Sequence, residues 1–295
     1  MKKEKLVSII INCFNGEKYL SQALESVIAQ SYKNWEVIFW DNNSTDKSKK
    51  IFKSYRNKRF KYFYSLKHTN LSTARNLAIK KSKGYFLAFL DTDDWWEKNK
   101  LKEQIKKFDD EKVGLVYSNF NIYDERLKNK KIFLAHKQKL PEGFILNNLL
   151  KNYSIGLLTI VIKKNILKNF KKKFNQNFHL IGDFDLVIRI SYKWKIKSVN
   201  RSLAYCRIHS KNEHIIRYNQ YVTELRRWLK NIKNTKILNL DQIKSFNKKI
   251  IYLEAKQYLK KKNYYKFFKK LKKVEGFEKI NLVFLLFYNF FKIKL

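Results

Sequence analysis

The sequence predicts an α/β protein in which a mostly parallel, mixed sheet is flanked by helices and followed by a helical extension. Three observations carry that expectation. Over the first 120 residues short apolar runs alternate with helical patterns, the signature of repeated strand-helix-strand units. Three carboxylates, Asp91, Asp93 and Asp94, stand directly after one of those runs. Beyond residue 210 the strand-like runs stop and Lys-rich helical sequence takes over.

The elements follow in order. Leu6 to Ile11, Trp35 to Trp40, Phe60 to Tyr64, Tyr85 to Leu90 and Gly114 to Tyr117 are β-branched or aromatic runs of the length and composition of buried strands. Between them Tyr19, Ala23, Leu24, Val27 and Ile28 recur at helical spacing, as do Leu71, Ala74, Leu77 and Ala78. From Asn121 to Tyr153 the sequence becomes polar, with Pro141 and Gly143, and reads as a long excursion from the sheet. Leu157 to Ile162 then reads as a strand, Asp183 to Trp194 as a helix, and Ile196 to Val199 and Ser202 to Ile208 as two short strands. Tyr218, Tyr221, Val222, Leu225, Leu229 and Ile232 open a helical tail. The expected division is a domain over 1–210, whose first half (1–120) is a nucleotide-binding type of sheet and whose second half is 121–210, and an extension over 211–295.

Composition bounds the function. With 295 residues, 44% of them hydrophobic, the chain can bury a substantial core. Its 65 Lys and Arg against 25 Asp and Glu leave a net +40, which favours nucleic acid, anionic membrane or acidic ligands as partners. A genome rich in A and T would write part of that excess, since seven glycines and one proline accompany abundant Lys, Asn, Ile, Tyr and Phe. Cys13 and Cys206 are too few and too far apart for a disulfide framework or a zinc site, so a reducing compartment is expected. The basic start Met1-Lys2-Lys3-Glu4-Lys5 leads into a first strand, not a signal peptide, and the apolar stretch Leu282 to Tyr288 is too short to span a bilayer.

Ligands of open α/β sheets bind beyond the carboxyl ends of strands, and carboxylates crowded there repel one another unless a cation lies between them. Asp91, Asp93 and Asp94 have that placement, and Mg2+ or Mn2+ with hard oxygen ligands would satisfy them. The plainer alternative has Asp94 capping a helix that begins near Trp95. Asp41, at the end of the second strand, could accept hydrogen bonds from a nucleobase or ribose, with Ser44 and Thr45 as caps of the next helix; a ligand-free turn is the alternative.

Together, Val7-Ser8-Ile9-Ile10-Ile11-Asn12-Cys13-Phe14-Asn15-Gly16, Asp41-Asn42-Asn43-Ser44-Thr45-Asp46, Leu71-Ser72-Thr73-Ala74-Arg75-Asn76 and Gly84 to Asp94 resemble the ordered motifs of family 2 glycosyltransferases with the Rossmann-like GT-A fold. The resemblance covers residues 6 to about 212. It implies that Phe14, Asn15 and Asp41 hold the donor nucleotide, that Asp91 lies near the ribose, and that Asp93 binds a divalent metal, Mn2+ or Mg2+, on the diphosphate. By the same resemblance Asp183 is the general base and His209 a late metal or diphosphate ligand, with a satisfied structural histidine as its alternative; Arg75, on a helix, is a candidate phosphate contact or a solvated or paired surface group. Asp183 as an ordinary N-cap is the competing role. The chain departs from the family at Asn42, where a second acid is common, at Asn70, near which a glycine is usual, and at Gly182, where a glutamate usually precedes the aspartate.

The implied activity is inverting transfer from a nucleoside-diphosphate sugar, a UDP-sugar foremost, to a saccharide or lipid-linked hydroxyl in bacterial surface-polysaccharide assembly. Residues 211–295 carry 22 Lys and Arg against 6 Asp and Glu, interleaved with Tyr264, Tyr265, Phe267, Phe268, Phe284, Phe287, Phe290 and Phe291. Such a segment suits either an anionic membrane surface, placing a cytoplasmic enzyme on the inner face of the plasma membrane, or packing on the catalytic domain. Two rivals fit less well. A nucleotidyltransferase would want a Gly-rich phosphate loop, and Asn12 to Lys18 has one glycine. No nucleic acid is expected as a partner, because a nucleic-acid-binding module leaves the carboxylate cluster unexplained.

Overall fold

The computed structural model describes residues 4–129 and 131–291, without the side chains of 214, 215 and 289–291. The basic start at Met1 to Lys3, the side chains of Phe290 and Phe291, and the end of the tail at 292–295 lie outside the described residues. Two compact units, Met1–Asn212 and Glu213–Leu295, divide close to the expected boundary.

The first unit is built on a mixed sheet of β1 (Val7–Cys13), β2 (Trp35–Asp41), β3 (Phe60–Tyr64), β4 (Phe86–Phe89), β5 (Trp95–Trp96), β6 (Val113–Asp124), β7 (Lys131–Leu134), β8 (Val161–Lys163) and β9 (Lys195–Ile208). In space the order is β3-β2-β1-β4-β8-β6-β9-β5, with β7 on β6. Strands β1 to β4 run parallel, as do β6 and β9, whereas β8 is antiparallel to both its neighbours. Every residue of β2 is buried, as expected of a parallel strand covered on both faces. Helix α1 (Leu20–Ile28) presents Leu20, Ala23, Leu24 and Val27 to Val7, Ile9 and Ile11. Helices α2 (Ser48–Ser54), α3 (Leu71–Lys81), α4 (Lys100–Ile105), α5 (Leu146–Lys151) and α6 (Gly182–Ser191) complete the layers. Asn70 caps α3 by accepting from Thr73 N at 2.8 Å, a contact worth about 1 kcal/mol.

Four expectations need correction. Leu157–Thr159 is a 3-10 turn, closed by Thr159 Oγ1 on Gly156 O at 2.7 Å, so only Val161–Lys163 pairs as a strand. The two strands expected over 196–208 are one, with register irregularities absorbing the polar Asn200 and Arg201 opposite Ser118 and Asn119. The excursion begins later than Asn121, because β6 runs to Asp124 and turns into a hairpin with β7. Ser44 and Thr45 do not cap α2, whose N-cap position is Lys47.

The second unit comprises α7 (Glu213–Ile216), α8 (Tyr218–Ile232), α9 (Leu240–Lys260), α10 (Tyr264–Leu271) and α11 (Gly276–Phe291). Ala255, Leu259, Phe267, Leu271, Val274 and Leu282 form its core, and Asn239 with Gln242 makes a reciprocal capping box on α9. Among the described residues no helix is long and apolar enough to cross a membrane.

Candidate active site

The parallel strands deliver their carboxyl ends to one edge, and the loops there are tied together side chain to backbone. Asn15 takes a left-handed φ of 53°, tolerated by asparagine; its N–H donates to Ser44 Oγ at 3.1 Å and its Oδ1 accepts from Thr45 N at 2.9 Å. Gly16 N donates to Ser48 Oγ and Glu17 N to Asp46 Oδ2, which fastens the loop after β1 to the loop after β2. At Gly16 a Cβ would meet Thr92 Oγ1 at 2.9 Å and Cys13 Sγ at 3.0 Å, so the absence of a side chain lets this loop lie against the Asp91 to Asp94 turn. Phe14 is half-exposed with its ring 4.2 Å from that of His68, an apolar face open at the edge of the sheet.

Asp41 sits in this edge but faces inward. It is 1% exposed; Oδ1 accepts from Ser44 N at 2.8 Å and Oδ2 from the Tyr62 hydroxyl at 2.6 Å. Burial, and then the Asp41 charge, push the Tyr62 phenol up and keep it a donor. Asn42, in place of a second acid, joins Thr69 through Nδ2 to its carbonyl at 2.7 Å and Oδ1 from its hydroxyl at 2.9 Å. An amide can both donate and accept there, whereas a carboxylate could only accept.

The turn after β4 divides its carboxylates among three environments. Asp91 is the most open and pairs with Arg75 Nη2 at 3.1 Å. Asp93 Oδ2 lies 3.0 Å from His209 Nε2 and 3.3 Å from Asn212 Nδ2. Burial and then the neighbouring Asp91 charge raise the Asp93 pKa, with the His209 bond opposing them. Asp94 is buried and accepts from Arg207 N at 2.9 Å. It caps no helix, because Trp95–Trp96 is strand β5, paired with Tyr205 and Ala204 of β9. Burial, followed by the Asp93 and Asp91 charges, holds its pKa well above the usual carboxylate range.

Pairing of β5 with β9 brings His209 to Asp93. The two groups offer one carboxylate and one imidazole, both partly open, with Asp91 as a nearby charge. Among the described residues no three His, Cys, Asp or Glu side chains are grouped so that together they could hold a metal ion. This donor set fits a hard divalent cation that keeps positions for substrate phosphate and water.

Asp183 lies in the first turn of α6, whose N-cap position is Ile181, so it does not act as the cap. Burial raises its pKa, while the Arg75 charge acts in the opposite direction. Helix α3 positions this region: Ser72 Oγ donates to Phe178 O at 2.8 Å, Asn76 Nδ2 to Phe174 O at 2.7 Å and Asn70 Nδ2 to Gln176 O at 3.1 Å. Arg75, 6% exposed, projects from the same helix and spans Asp91 and the field of Asp183, which makes it a buried link and not a solvated surface group. Gly182 is explained by the same packing, since a Cβ there would meet Ser72 Oγ at 2.8 Å.

Several residues of this site escaped the sequence reading. Arg207 and Asn212 contact Asp93, Arg207 also contacts Asp94, and Glu125, Gln22 and Tyr19 hold Arg207 in turn. Arg207 had one signal, a charge between apolar residues of a strand; Glu125 and Gln22 had none.

The profile of "Glycosyl transferase family 2" matches residues 8–185. A UDP-Glc:alpha-D-GlcNAc-diphosphoundecaprenol beta-1,3-glucosyltransferase of Escherichia coli, WfgD, is 35% identical over 169 residues, which are 57% of this chain and 64% of that protein, just under two thirds of its length. Among solved structures, S. aureus TarS 1-349 in complex with UDP-GlcNAc superposes with a TM-score of 0.70 at 19% identity, covering 91% of this chain and 81% of that 1-349 chain. The mannosyltransferase PcManGT from Pyrobaculum calidifontis, in complex with GDP-Man and Mn2+, gives a TM-score of 0.63 at 15% identity over 96% of this chain and 79% of that one. By its profile match and its sheet, the chain belongs to glycosyl transferase family 2 and has the GT-A fold.

Proposed function

We propose that this chain is an inverting, metal-dependent glycosyltransferase that moves a sugar from a nucleoside-diphosphate donor, a UDP-sugar foremost, to a hydroxyl of a lipid-linked saccharide in surface-polysaccharide assembly. The observation that carries the reading is the convergence of Asp91, Asp93 and His209 at the sheet edge with Asp183 behind the shared partner Arg75. The UDP-Glc donor and diphosphoundecaprenol acceptor named for the E. coli relative, and the UDP-GlcNAc bound by TarS, support the substrate classes.

In this reading Phe14, Asn15 and Asp41 form the nucleotide end. Asp41 shapes its loop through Ser44 and Tyr62, and the base contacts the exposed Phe14 side of that loop. Asp93 and His209 would hold a Mn2+ or Mg2+ ion, which when bound supplies positive charge against the charge developing on the departing diphosphate. Asp91 and Arg75 orient each other beside the ribose and phosphates. Asp183 accepts the proton of the acceptor hydroxyl as its oxygen attacks the anomeric carbon; the bond to the diphosphate oxygen breaks on the opposite face, and configuration inverts. Burial suits the base, because a carboxylate with a raised pKa is a stronger proton acceptor, and the Arg75 charge limits that rise.

The second unit supports a peripheral position on an anionic inner leaflet. Phe277, Ile280, Phe284 and Phe287 are exposed along α11, and Tyr265 and Phe268 along α10, whereas Phe267 is spent in the core. Exposed aromatics among lysines suit a headgroup layer.

A thermal-shift panel of nucleotide sugars with and without Mn2+ tests the reading. One donor should stabilise the protein in a Mn2+-dependent way, and Asp93→Ala should remove that effect. Stabilisation unaffected by Asp93→Ala would count against the mechanism.

A further inference from the structure

The guanidinium of Arg207 is heavily engaged beside the Asp91 to Asp94 turn. Its Nε donates to Asp93 O at 2.9 Å, Nη1 pairs with Glu125 at 2.6 Å and Nη2 donates to Gln22 Oε1. The backbone N–H of the same residue donates to Asp94 Oδ1 at 2.9 Å. Three rings enclose the guanidinium, with centroids 4.4 Å (Tyr19), 4.7 Å (Trp95) and 5.2 Å (Tyr123) from Cζ. Glu125 is itself fixed by the Tyr19 hydroxyl at 2.6 Å.

One planar group thus reaches the backbone of Asp93, the end of β6 and helix α1, while its own main chain holds the Asp94 carboxylate. Two residues further on, just past the end of β9, stands His209. We infer that Arg207, braced by Glu125, is a positioning residue that sets the backbone of Asp93 so that its carboxylate and the His209 imidazole open onto the same space. The inference rests on the reading of Asp93 and His209 as cation ligands. Geometry is essential to it: three acceptors in three directions suit a fork of N–H donors, and an ammonium on a flexible stem satisfies one of them. Hydrogen bonds that orient ligands typically govern metal affinity by about 10- to 100-fold.

The test is Mn2+ binding in the presence of UDP, followed by the EPR signal of free Mn2+, in the full chain and in Arg207→Lys, Arg207→Met, Glu125→Gln and Asp93→Ala. Arg207→Lys and Arg207→Met should both weaken binding by about 10-fold or more. Glu125→Gln keeps the shape and removes the charge, and should show a smaller loss in a folded protein even if Arg207→Met fails to fold. Arg207→Lys binding like the native chain would overturn the geometric role. Unchanged binding in Asp93→Ala would instead remove the ligand assignment beneath it, which separates the two failures.

Discussion

Gly182 precedes the proposed base, and its substitution offers a quantitative check on the placement of α6. An added Cβ would sit 2.8 Å from Ser72 Oγ, itself occupied by a 2.8 Å bond to Phe178 O. Relief requires either a backbone shift of α6, at the roughly 1–3 kcal/mol of an overpacked core, or rotation of Ser72 with loss of about 1 kcal/mol of hydrogen bonding. The helix-propensity gain of alanine over glycine, about 1 kcal/mol in a helix interior, is smaller at the first position of the helix. The cheaper route sets the cost of Gly182→Ala at about 1 kcal/mol, lowering the melting midpoint of the first unit by roughly 2–4 °C at 2–4 °C per kcal/mol. Circular dichroism melts of Gly182→Ala, Ser72→Ala and the double variant measure it. In the Ser72→Ala background the clash partner is gone, and Gly182→Ala should add less than about 0.5 kcal/mol, a non-additivity expected of touching residues. A single variant as stable as the native chain, or a double variant that loses the full sum, would refute the packing argument.

Replacing Asp183 with Asn should preserve donor stabilisation and reduce turnover by about 10²- to 10⁴-fold, the range of a general base, as read by release of nucleoside diphosphate. Because the base works ionised and burial raises its pKa, kcat should fall as pH drops through a value above the ordinary carboxylate range. Arg75→Met removes the charge that opposes this shift and should move that acid limb to still higher pH; an unmoved limb would separate Arg75 from Asp183. For the second unit, cosedimentation with anionic vesicles should exceed that with neutral ones, weaken with salt and fall in Phe284→Ser/Phe287→Ser. Equal recovery in the supernatant with both vesicle types would remove the membrane role.

Strands β1 to β4 were legible because each is a short, mostly apolar run ended by a polar turn, and β3 was bounded at Phe60 and Tyr64 as expected. Leu157–Thr159 was not, because a short apolar run has the same composition whether it extends or closes on a glycine carbonyl. Asn200 and Arg201 imitated a turn inside β9 because irregular pairing with β6 lets polar residues ride in a long strand. Within the site, Asp93, His209 and Asp183 were readable as chemistry-bearing types at strand and helix ends. Their distribution of labour was not, since Asp94 as a buried acceptor and Arg75 as a link depend on partners far away in sequence.

The two-residue strand β5 carries a consequence for the order of folding. Its pairing with β9 spans the contacts Asp94 to Arg207 and Asp93 to His209, separated by 113 and 116 residues. Closing a loop of that length costs on the order of 4 kcal/mol of chain entropy, more than two short hydrogen-bonded residues return on their own. On a ribosome the carboxylate turn therefore emerges long before its imidazole partner, and the sheet must first seat β6 and β9 together. A cation held by Asp93 and His209 in the proposed way would then bind late in the life of the nascent chain, reporting completion of the sheet rather than guiding it.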